Sequence, residues 1–132
     1  MRDIILYTKE PINYDDCTAA ILGSVKSAVT NTKNYFHSNN KHFWSLEIDN
    51  EDLQASLQGF DDDYIKDQTQ RELENIPISN PFSNLLQTHR SIDAKRIIEV
   101  LMKLRPELYI EVNDAKPWFG SAQEYLDKEF DY

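Results

Sequence analysis

Between Ser91 and Val112 the spacing of apolar residues changes period, and that change limits the folds open to the chain. Ala94, Ile97, Ile98, Leu101 and Leu104 recur three and four residues apart, which puts them on one side of a helix. Lys95, Glu99 and Lys103 are four apart on the other side and alternate in sign, as on a solvated helix face. Arg105-Pro106 then stops the helix, because proline has no N–H to donate and its ring clashes with the preceding turn. Leu108, Ile110 and Val112 follow in alternation with Tyr109 and Glu111, the period of a strand. A helix with one apolar stripe beside such a strand calls for helices packed on a sheet.

The same two periods recur upstream. Ile4 to Thr8 reads as a buried first strand ended by Glu10-Pro11. Asn13 or Asp15 caps a helix whose stripe is Ile21, Leu22, Val25, Ala28 and Val29. Gly23 within it calls for a close backbone neighbour. Asn31 to Lys41, polar and rich in asparagine, reads as a loop. Trp44, Leu46 and Ile48 share one face of a strand, and Leu53, Ala55 and Leu57 one face of the next. A turn at residues 49–52 makes the two a hairpin, which Gly59 ends. A modest helix over Asp61 to Glu74, a connection containing Pro77 and Pro81, and a short strand over Asn84 to Thr88 complete the middle. Ser91 is expected to cap the helix that follows it, Trp118-Phe119 to lie in a loop, and Ser121 to Glu124 to form a capping box that opens a last helix. The expected fold is one α+β domain over residues 1–132, with helices packed on a mixed, mostly antiparallel sheet. A chain of 132 residues buries about two thirds of its unfolded surface without metal or disulfide help.

Charge is distributed unevenly. From Glu47 to Glu74 there are ten acidic residues against Lys66 and Arg71, about −8 of the net −9. No acidic residue lies between Asp16 and Glu47. Such a field suits a basic partner and repels nucleic acid and anionic membrane surfaces. Lys26, Lys33 and Lys41 with Tyr35 and Phe36 are too few, in so acidic a chain, for a nucleic-acid footprint.

Catalytic and metal motifs are missing. Asp61, Asp62 and Asp63 are adjacent, so their side chains diverge rather than converge on one ion. His37, His42 and His89 lack zinc-ligand spacing, and Cys17 has no CxxC partner and no disulfide partner. Cys17, near a helix start, is read as a small buried side chain rather than a reactive thiol. Gly23, Gly59 and Gly120 are isolated, which leaves no glycine-rich phosphate loop, and there is no GxSxG elbow. No cofactor or metal is expected. The N-terminal apolar run is too short for a signal sequence, and no stretch approaches the roughly 20 apolar residues of a membrane span, so a cytoplasmic location is expected.

Ala94 to Leu101, Leu108 to Val112 and Trp118 to Leu126 together resemble small acidic immunity proteins of bacterial polymorphic and contact-dependent toxin systems, in size, acidity and helix–strand–helix style. The resemblance implies a small cytoplasmic domain, without catalysis of its own, that binds and neutralises a cognate toxin. It also implies carboxylates that cover a basic site by imitating phosphate. Charge and aromatic placement nominate Asp49, Glu51, Asp52, Asp61, Asp62, Asp63, Trp118 and Phe119 as partner-binding residues. Trp118 is either a plug for the core or an anchor in a partner. The expected molecule is a monomer or homodimer without nucleic-acid or membrane partners. The competing functions are an adaptor or subunit of a larger bacterial assembly and a small enzyme with an unrecognised carboxylate site.

Overall fold

The computed structural model describes residues 2–10, 12, 14–24, 31–36, 42–49, 53–59, 74–79 and 81–130. Seven strands form one sheet: β1 (Arg2–Thr8), β2 (Asn31–Phe36), β3 (His42–Asp49), β4 (Gln54–Gly59), β5 (Phe82–Thr88), β6 (Tyr109–Asn113) and β7 (Trp118–Ser121). Three helices are described, α1 (Tyr14–Ser24), α2 (Ser91–Leu104) and α3 (Ala122–Asp127). The strand order is β2-β3-β4-β5-β1-β6-β7, and every neighbouring pair is antiparallel. The α+β architecture expected from the two periods is the one that forms, with a sheet antiparallel throughout rather than mixed.

Alternation along the strands sorts side chains between two faces. Ile4 and Leu6 of β1, Trp44, Leu46 and Ile48 of β3, Leu57 of β4, Leu86 of β5 and Ile110 and Val112 of β6 turn one way. They meet Cys17 and Ile21 of α1, Ala94, Ile97, Ile98 and Leu101 of α2 and Tyr125 of α3 in the main core. The helices therefore cover one face. The α2 stripe is the one its spacing forecasts, and Leu101 accepts the N–H of Arg105 where the helix ends. β1 lies between β5 and β6, and Ile4 to Thr8 are buried on both faces, which explains an apolar run in place of alternation.

The loop expected at Trp118-Phe119 and the described part, 31–36, of the loop expected from Asn31 to Lys41 are strands. Residues 31–36 pair with β3 in unbroken register from Asn31↔Glu47 to Phe36↔His42. Their polar composition hides the strand, because an edge position asks for little apolar surface. Residues 118–121 pair with β6 from Val112↔Trp118 to Tyr109↔Ser121. β5 is also longer than the expected Asn84 to Thr88, starting at Phe82. The N-cap of α2 is Arg90, extended at φ −121° with no side-chain cap, while Ser91 is the first helical residue. Arg90 instead holds the buried Asp93 carboxylate with two bonds of 2.8 and 2.9 Å. Of the expected turn at 49–52, Asp49 is instead the last residue of β3, where it pairs with Gln54, and 50–52 lie outside the described residues, as do the helix over 61–74 apart from Glu74 and Val25, Ala28 and Val29 of the first stripe.

Both tryptophans lie against glycine. Trp44 and Gly59 are directly opposite on β3 and β4, and a Cβ on Gly59 would fall 2.0 Å from the indole Nε1. The Trp118 ring crosses Gly120 two residues along its own strand, 2.4 Å from where a Cβ would sit. Each glycine leaves room for a ring to lie flat on the sheet. Trp44 also meets Tyr14 edge-on at 6.1 Å, which ties α1 to β3. Among the described residues, no helix is long and apolar enough to cross a membrane.

Candidate interaction face

Of the candidate residues, the sheet face turned away from the helices carries Asp49 and Phe119, and its described residues fall into an aromatic and a polar group. On β5, β1, β6 and β7 it presents Leu85, Ile5, Tyr7, Tyr109 and Phe119, with Ile76 and Ile78 of the β4–β5 connection packed against them. Glu111 lies among them, 4% exposed. Its carboxylate accepts a 2.7 Å hydrogen bond from the buried Tyr7 hydroxyl. Register explains the meeting: Tyr7 and Glu111 sit two residues out of step on neighbouring strands and share a face. Ser83, directly opposite Tyr7, buries a hydroxyl that has no hydrogen-bond partner. Burial raises the Tyr109 phenol above its ordinary range, and the negative charge of Glu124 adds to the effect.

From Ser45 to Asp49 on β3 and from Gln54 to Gln58 on β4 the same face carries polar residues. Glu47, Ser56, Gln87, Asp3 and Asn113 form a transverse row across β3, β4, β5, β1 and β6. Gln87 donates to Asp3 at 2.9 Å within it. Ser45 and Gln58 start a second row, and Asp49 faces Gln54 at the end of the hairpin. Glu47, Asp49 and Gln54 are exposed. This stretch of the face is thus polar and partly solvated, as antiparallel sheets permit when helices cover the other side.

Of the nominated residues, Asp49 is at the exposed end of β3. Glu51, Asp52, Asp61, Asp62 and Asp63 lie outside the described residues. Trp118 and Phe119 are neighbours on β7 and so turn to opposite faces. Trp118 lies on the helix side, edge-on to Tyr125 at 6.0 Å and to Phe130 at 5.5 Å, and packs on the main core. Phe119 packs on the small cluster around Tyr7. The two rings do not form one aromatic patch. Asp49 and Trp118 are also far apart, since β3 and β7 are five strand spacings, about 24 Å, from each other.

Among the described residues, no three His, Cys, Asp or Glu side chains are grouped to hold a metal ion. Cys17 is buried and its thiol is pushed up to about 12 by desolvation, which keeps it protonated and unreactive at neutral pH. The Tyr7–Glu111 pair escaped sequence reasoning. Its one signal was Tyr7 and Glu111 in otherwise apolar strands, and pairing them needed the register. No family model matches the chain, and neither a curated protein nor a solved structure matches it.

Proposed function

We propose that this chain is a non-catalytic binding protein that captures a basic protein partner, acting as an immunity protein that neutralises a bacterial toxin domain in the cytoplasm. The observation that carries the reading is the concentration of charge: ten acidic residues against two basic ones between Glu47 and Glu74. Repulsion among so many like charges costs stability, and a cationic partner turns that cost into attraction. The placement of Asp49 supports the reading, because that carboxylate is exposed beside polar neighbours at the hairpin end from which the acidic stretch continues. In this reading Asp49, Glu51, Asp52, Asp61, Asp62 and Asp63 meet the partner, while Trp118 and Phe119 serve packing.

Co-purification with the product of the adjacent gene tests the proposal directly. With a partner in hand, replacing the six carboxylates by Asn and Gln slows association by about one to two decades at low salt and by less at high salt. An unchanged association rate at low ionic strength overturns the docking role of this stretch.

A further inference from the structure

We draw no further inference here: the strongest candidate, the side-chain cluster of Tyr7, Ser83 and Glu111 on the sheet face turned away from the helices, is closed to solvent with Tyr7 and Glu111 bonded to each other, and nothing among the described residues shows a ligand's way in.

Discussion

Single residues set the close contacts on both faces of the sheet. Trp44 is 7% exposed and has nowhere to go when Gly59 acquires a Cβ, whereas Trp118 is half-buried and meets Gly120 with the far end of its ring. Gly59→Ala is therefore expected to cost about 1–3 kcal/mol of folding stability and Gly120→Ala less. Urea unfolding of the two variants decides the order, and equal midpoints would show that Trp44 can move aside. On the opposite face Tyr7→Phe removes a donor from a buried carboxylate. It should cost about 1–3 kcal/mol, the penalty of leaving a buried acceptor undersatisfied. Tyr7→Phe with wild-type stability would mean that Glu111 finds an equal replacement. Neither site was legible as a contact in the chain. Trp44 and Gly59 are 15 positions apart and Tyr7 and Glu111 are 104 apart, so only register joins them.

Elements differ in how openly the chain declares them. α2 and α3 were readable because their signals are local. A stripe at helical spacing needs one helix to be seen, and a capping box needs four residues. Ser121 accepts from the Glu124 N–H at 3.1 Å, and the Glu124 carboxylate accepts from the Ser121 N–H at 2.9 Å. The bond from the Ser121 N–H, and after it the Ser121 side chain, hold the Glu124 carboxyl below the usual carboxylate range. A lowered folded-state pKa means stabilisation that is complete above the ordinary carboxylate pKa and is lost as pH falls through the folded one. The stability gap between wild type and Glu124→Ala should thus be largest at neutral pH and close in acid. A gap that persists in acid would assign the effect to helix propensity instead of the cap. β2 and β7 were not readable. Their strand character comes from β3 and β6, neighbours that supply the ladder bonds, while their own residues lack the alternation that marks a half-buried strand.

For the molecule as a whole, charge opposes folding. Among the described residues the net −9 is offset locally where Arg2 meets Asp114 at 2.6 Å and Arg90 meets Asp93. Added sodium chloride should raise the melting temperature, because screening weakens long-range repulsion more than it weakens close pairs. A melting temperature that falls with salt would show that the pairs dominate. By itself the sequence determined the class of fold, the places of α2 and α3, the core-facing residues of β1, β3 and β6, and the acidity that motivates a basic partner. Each of these depends on spacing or count within a short window. Tertiary structure alone decided the strand order, the place of β1 between β5 and β6, the meeting of Tyr7 with Glu111 on the outer face, and the separation of Trp118 from Phe119 and from Asp49. The physical reason is that strand pairing joins residues remote in the chain, and a period of two leaves open which neighbour each strand takes and which face meets the helices.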